Sequence, residues 1–249
     1  MKTKLFTVVF LTACTVVIAC NKGNSQGESQ IPPVKVNDAN LNGWVKAPKG
    51  AATVEFVKGP ATPLLGSGSV RYISPDRSFA RLINMGYSGT PLSSITELSY
   101  SNFIEKRDST VDTNALILEI DNNGDGLSDI HLIYDPRYQT GKFVAGTSIP
   151  DLGNSKTNTW QTWDALKGGW FGIVKHPGDP DPDQGAVLYT LTEFINKNPN
   201  ATIVNNAVAG TPGGIRVQVG GPVSSKNFTG YADNFKIGVK GVTTTYDFE

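Results

Sequence analysis

Cysteine is confined to the first twenty residues of this 249-residue chain, as Cys14 and Cys20. The remainder therefore has no disulfide framework, no thiol nucleophile and no cysteine ligand for zinc. Histidine is nearly as scarce, with His131 and His176 the two in the chain. A zinc site needs a third ligand that the sequence does not supply, and a serine triad needs a nucleophile elbow such as G-x-S-x-G, which is missing. Neither sign of charge is in excess, with 22 Lys and Arg against 22 Asp and Glu. No basic field exists to recruit nucleic acid, so no nucleic-acid partner is expected. Few long stretches keep a 3.6-residue period.

What the chain does have is glycine and proline, 27 and 15 residues, punctuating short apolar runs. Period-two alternation and β-branched residues predict strands at Thr53–Val57, Gly68–Ser74, Ala80–Ile83, Leu98–Phe103, Ala115–Ile120, Ile130–Tyr134, Trp160–Asp164, Gly214–Val219 and Tyr231–Val239. One helix is expected at Ala186–Asn198, where Val187, Leu191, Phe194 and Asn198 stack on one side and Asn198-Pro199 stops it. No repeat at fixed period is visible. The reading is an all-β chain, a β-sandwich with one short helix.

The N-terminus has the layout of a targeting segment. Lys2 and Lys4 precede an apolar stretch, Leu5–Ala19, too short for a comfortable membrane span and suited to a signal peptide. Val17-Ile18-Ala19-Cys20 resembles the bacterial lipobox, which implies cleavage before Cys20 and lipidation of that cysteine. Leu11-Thr12-Ala13-Cys14 fits the same pattern but would strand apolar residues on the mature protein. Residues 1–20 are thus read as a lipoprotein signal with its lipobox, and export with a lipid anchor in the cell envelope, periplasmic or surface-exposed, is expected. Losing Lys2 and Lys4 leaves 20 basic against 22 acidic residues. Residues 21–33 are small and polar and read as a flexible tether. Residues 34–249 form a single domain, large enough to bury its own core without disulfides.

The densest chemistry lies in Ala115–Asp135. Asp121, Asn123, Asp125 and Asp129 put oxygen-bearing side chains at loop positions 1, 3, 5 and 9, Gly126 holds position 6, and Leu127 at position 7 offers its carbonyl. That donor set suits a hard cation, and Ca²⁺ is the expected cofactor. Position 12 is Leu132, not the Glu of the helix–loop–helix motif, and both flanks alternate as strands. The stretch resembles the DxDxDGxxD calcium loops of β-rich extracellular proteins. Without a metal, the same residues make an Asx-rich hairpin turn.

Further resemblances bracket the domain. Asn42-Gly43-Trp44 followed by Gly66-Ser67-Gly68-Ser69-Val70-Arg71-Tyr72 looks like the opening of jelly-roll carbohydrate-binding modules of the galactose-binding-like class. Gly230-Tyr231-Ala232-Asp233-Asn234-Phe235-Lys236-Ile237-Gly238 looks like their final strand, whose Asp commonly faces a structural calcium site. Gly89–Ser93, Trp160–Ala165 and Thr245–Glu249 resemble an uncharacterised family of secreted bacterial proteins. These resemblances imply a jelly-roll sandwich and a glycan or cell-surface polysaccharide as partner.

Three of four tryptophans fall in Trp160–Trp170. An exposed indole stacks on a pyranose ring, while Asp164, Gln161 and Lys167 are placed to bond hydroxyls; the same indoles also suit a core. Trp160 and Thr162 share one face of the strand and Trp163 the other. Trp170, after Gly168-Gly169, is expected to be exposed, and the glycan site is placed at Trp163, Asp164 and Trp170. Catalysis has weaker support. Glu119-Ile120-Asp121 resembles the start of the E-x-D-x-x-E strand of laminarinase-type β-glucanases, but the third carboxylate position is Gly124. Asp179, Asp181 and Asp183 lie in a proline-rich segment, His176–Gln184, read as a solvated loop. The expectation is a non-catalytic glycan binder, with a structural or adhesive surface protein as the rival class and a glycoside hydrolase third.

Overall fold

In the computed structural model, described for residues 31–76, 78–108, 113–173, 185–206, 213–220 and 226–249, almost every regular element is a strand. In chain order they are β1 (Val34–Val36), β2 (Trp44–Lys46), β3 (Thr53–Lys58), β4 (Gly68–Asp76), β5 (Ala80–Asn84), β6 (Ile95–Lys106), β7 (Ala115–Asp121) and β8 (Ile130–Tyr134). There follow β9 (Trp160–Asp164), β10 (Gly169–Ile173), β11 (Tyr189–Thr190), helix α1 (Leu191–Lys197), β12 (Thr202–Ile203), β13 (Ile215–Val219), β14 (Lys226–Val239) and β15 (Val242–Phe248). Cys20, the signal segment and the tether up to residue 30 lie outside the described residues, as does His176–Gln184. Among the described residues no helix is long and apolar enough to cross a membrane.

The strands form two sheets, and the fold is an all-β sandwich. The first is organised on the long β14, which pairs along one edge with β6. Along its other edge it pairs first with β4 and then with β15. β9 extends the sheet beyond β6, β3 extends it beyond β4, and β1 joins β15 in parallel. The second sheet runs β11-β10-β8-β7-β13-β5-β2, with β12 continuing the edge of β7 that β13 leaves. Residues Pro32–Glu249 form one compact unit.

Alternation decides what lies between the sheets. Leu116, Leu118 and Ile120 of β7 face Val70 and Tyr72 of β4 and Leu98, Tyr100 and Ile104 of β6 across one shared core. Trp44 links the sheets: its ring meets Phe235, Tyr246 and Phe248 edge-on, with centroids 5.1–5.4 Å apart. Such pairs contribute about 0.5–1.5 kcal/mol each beyond the area they bury. A smaller cluster of Tyr138, Val144, Ile149, Phe171 and Leu188 packs on the outer face of the second sheet.

The helix is shorter than expected. Thr190 caps it by accepting from the Glu193 amide at 3.1 Å, while Glu193 reaches back to the Thr190 amide at 2.7 Å. This reciprocal capping box fixes the start at Leu191. Tyr189 and Thr190 are instead held extended as β11, paired to Trp170 and Gly169.

Candidate functional site

The expected cation loop is the hairpin turn between β7 and β8. Asp121 Oδ1 accepts from the amides of Asn123 (3.0 Å) and Gly124 (2.6 Å), and its Oδ2 accepts from Gly126 (2.8 Å). Burial pushes the Asp121 carboxyl up, but the amides of Gly124, Gly126, Asn123 and Asp125 outweigh it and hold it below the usual carboxylate range. Asp125 Oδ1 accepts from the Leu127 amide at 2.8 Å, and Asp129 Oδ2 from Asn122 at 2.9 Å. Gly126 sits at φ +80°, a left-handed turn position open to glycine at little cost.

At the centre of the loop is the Asn123 carboxamide. Its Oδ1 accepts from the Asp125 amide at 2.8 Å, and its NH₂ group donates to Asp125 Oδ2 (3.3 Å) and Asp129 Oδ1 (3.2 Å). The partly positive NH₂ thus stands between two carboxylates. Among the described residues no three His, Cys, Asp or Glu side chains are already grouped as metal ligands. The donor types suit Ca²⁺; coordination requires the Asn123 amide to turn its oxygen inward.

Behind the loop lies a buried charged cluster that the sequence did not disclose. Glu119 is fully buried; its Oε1 meets His131 Nδ1 at 2.7 Å and the Arg216 guanidinium, and its Oε2 accepts from Ser128 Oγ at 2.6 Å. The pairing register assembles it, because β7 sets Glu119 opposite His131 on β8 and its next strand, β13, brings Arg216. Burial pushes the Glu119 carboxyl up, but His131, Arg216 and Ser128 together bring it below the ordinary value. The glucanase resemblance therefore has no free carboxylate to use: Glu119 is consumed by ion pairing and Asp121 by loop amides.

The tryptophans differ from expectation. Trp170 is fully buried and Trp163 is 1% exposed. Their indole N–H groups donate inward, Trp170 to the Ala165 carbonyl (2.8 Å) and Trp163 to Asn102 Oδ1 (2.9 Å). Gly168-Gly169 serve close packing and not exposure. A Cβ on Gly168 would run into the Tyr134 ring, and one on Gly169 would lie 2.9 Å from Ile149 and Leu188. Asp164 caps the turn that follows it, accepting from Lys167 N (3.2 Å) and pairing with Lys167 Nζ (2.8 Å). Neither Trp163 nor Trp170 offers an indole face to a sugar. Of the four tryptophans only Trp160 keeps part of its surface exposed, and its N–H donates to the Pro60 carbonyl at 3.1 Å.

A second carboxylate group sits where β14 leaves β4 and joins β15. A bulge at Asn234, φ +52°, shifts the register so that both Ala232 and Phe235 face the core. Asp233 is left in the gap between β4 and β15, fully buried, accepting from Leu65 N (3.0 Å) and Phe248 N (3.2 Å). Asp247, 4% exposed, has an oxygen without a hydrogen-bond partner. No protein-family model, curated protein or solved structure matches the chain.

Proposed function

We propose that this chain is an exported, lipid-anchored β-sandwich that binds Ca²⁺ in the Asp121–Asp129 loop and serves a structural or adhesive role at the cell envelope. The jelly-roll wiring suggested by the strand resemblances belongs to the same proposal. One observation carries the cation: Asp121, Asp125 and Asp129 bring three carboxylates into nine residues, and among the described residues no Lys, Arg or His is ion-paired with any of them. Backbone amides and one Asn NH₂ offset that charge only in part. Ca²⁺ supplies the missing charge and takes Leu127 through its carbonyl. Glycan recognition at Trp163, Asp164 and Trp170 has no exposed ring to rest on, so the structural reading takes its place.

The test is a melting curve of protein prepared from the membrane fraction of the expressing cell. A site present only in the folded state stabilises by RT ln(1 + [L]/Kd), about 2.7 kcal/mol at 100 times Kd. EDTA should therefore lower the melting temperature by several degrees relative to millimolar Ca²⁺, and Asp125→Ala should remove the difference. Equal melting in EDTA and Ca²⁺ reduces the loop to a turn. Recovery only from the soluble fraction, with Met1 retained, removes the anchor.

A further inference from the structure

Two buried arginines gather around one buried carboxylate on the outer face of the second sheet. Arg216 is 4% exposed and Arg81 8% exposed, on adjacent strands β13 and β5. Arg81 lies opposite Gln218 and Arg216 opposite Ile83, so the two arginines are diagonal neighbours on one face. Glu119 is the carboxylate that acts on both, and its contact is with Arg216. Two guanidinium groups therefore share one carboxylate, with His131 at its far side.

Arg81 is held as a receptor group would be. Its guanidinium carbon stacks 4.1 Å from the centroid of the Phe79 ring, and its Nε donates to Gln218 Oε1 at 3.0 Å. That ring and amide fix the plane of the fork and leave its two terminal nitrogens without a protein acceptor among the described residues. Arg216 Nε is buried and also without a partner. A buried donor lacking an acceptor is costly, and more so when the group is charged. The geometry points to a small-oxyanion site on this face: the terminal nitrogens of Arg81 bind a carboxylate, phosphate or sulfate group directly, and Arg216 stands behind with its unpaired donor and charge. A planar fork suits two oxygens of one such group, which gives this ligand class its fit. Mutual repulsion of the arginines supports the assignment, since burial first and then Arg216 bring Arg81 down to about 10 against the pull of Glu119. Anion binding relieves that repulsion.

The experiment follows melting and titration calorimetry with sodium phosphate, sodium sulfate and sodium acetate at pH 7, each against NaCl of equal ionic strength. The comparison runs over wild type, Arg81→Gln and Lys58→Gln; Lys58 is an exposed charge on the other sheet. Sulfate and phosphate also stabilise proteins generally by exclusion from the surface, an effect that does not saturate and that every variant shares. Wild type and Lys58→Gln should show a saturable rise in melting temperature and 1:1 heats with at least one oxyanion. Arg81→Gln should lose at least tenfold in affinity while still melting cooperatively in NaCl, because it gives up the Phe79 and Gln218 contacts together with a charge that repels Arg216. The responding salt names the ligand: acetate alone means carboxylate, phosphate or sulfate means a tetrahedral oxyanion. The inference is overturned if no salt gives a saturable response, if Arg81→Gln responds as wild type does, or if Lys58→Gln loses the response equally.

Discussion

Raising the pH should weaken this fold through Asp233. Burial pushes the Asp233 carboxyl up, and the neighbouring Asp247 adds to it. The amides of Asn234, Leu65 and Phe248 oppose the rise, and the carboxyl settles at about 6 from an ordinary 3.8. Asp247 is raised as well, by burial and by Glu249, with Lys35 pulling the other way. A raised carboxyl means that the folded protein holds the proton more tightly than the unfolded chain. The contribution is therefore fully present below about pH 3.8 and is lost as the pH climbs through about 6. Roughly two pKa units at 1.36 kcal/mol each give about 3 kcal/mol, or about 6–12 °C in melting temperature for a domain of this size. The assay is urea unfolding in EDTA from pH 4 to 8, for wild type and Asp233→Asn. Asparagine has one carbonyl for two amides, so the variant carries a cost of about 1–3 kcal/mol, but that cost does not vary with pH. The variant-minus-wild-type difference should shift by about 2–3 kcal/mol in favour of the variant across the range. Parallel pH curves would refute the argument that burial raises the Asp233 carboxyl.

Nearly all the long strands were legible because alternation and β-branching are local signals. Ile130–Tyr134 and Trp160–Asp164 have the bounds the pattern predicts. β6 and β14 run past their expected ends, into Glu105-Lys106 and back to Lys226, because backbone pairing continues there, Thr229 opposite Lys106 and Lys226 opposite Asp76. β10, read as Gly-Gly-Trp with an exposed indole, was misjudged for a definable reason. Glycine next to a large aromatic marks either a mobile approach or a close one, and only the position of the Tyr134 ring distinguishes them. Strands of two or three residues, β1, β2, β11 and β12, carry too few positions for any period to register. The Asp121–Asp129 turn was legible as chemistry, since its spacing is local. The Glu119–His131–Arg216 cluster was not, because Arg216 is 97 positions from Glu119 in sequence and only the β7–β13 register brings them together.

Two further perturbations probe the core and the buried charge. Trp170→Ala empties a fully buried site beside Tyr134, whose ring centroid lies 5.5 Å away. It should cost about 3–5 kcal/mol in chemical denaturation, and a loss below 1 kcal/mol would show the indole is exposed after all. Glu119→Leu tests whether the carboxylate or the packing holds the second sheet. Removing Glu119 strands the Arg216 charge in a site only 4% exposed, and breaking such a pair from one side costs about 3–5 kcal/mol. Removing Arg216 as well, as Arg216→Met, takes away the stranded charge and leaves two apolar side chains of similar reach. The double variant should therefore be more stable than Glu119→Leu alone, although it carries one more change. Packing gives the opposite order: if the Arg216 stem were the stabilising feature, the second substitution would add its own loss and the double variant would be the weaker. A double-mutant cycle in chloride buffer free of phosphate measures the sign, which decides between the two accounts.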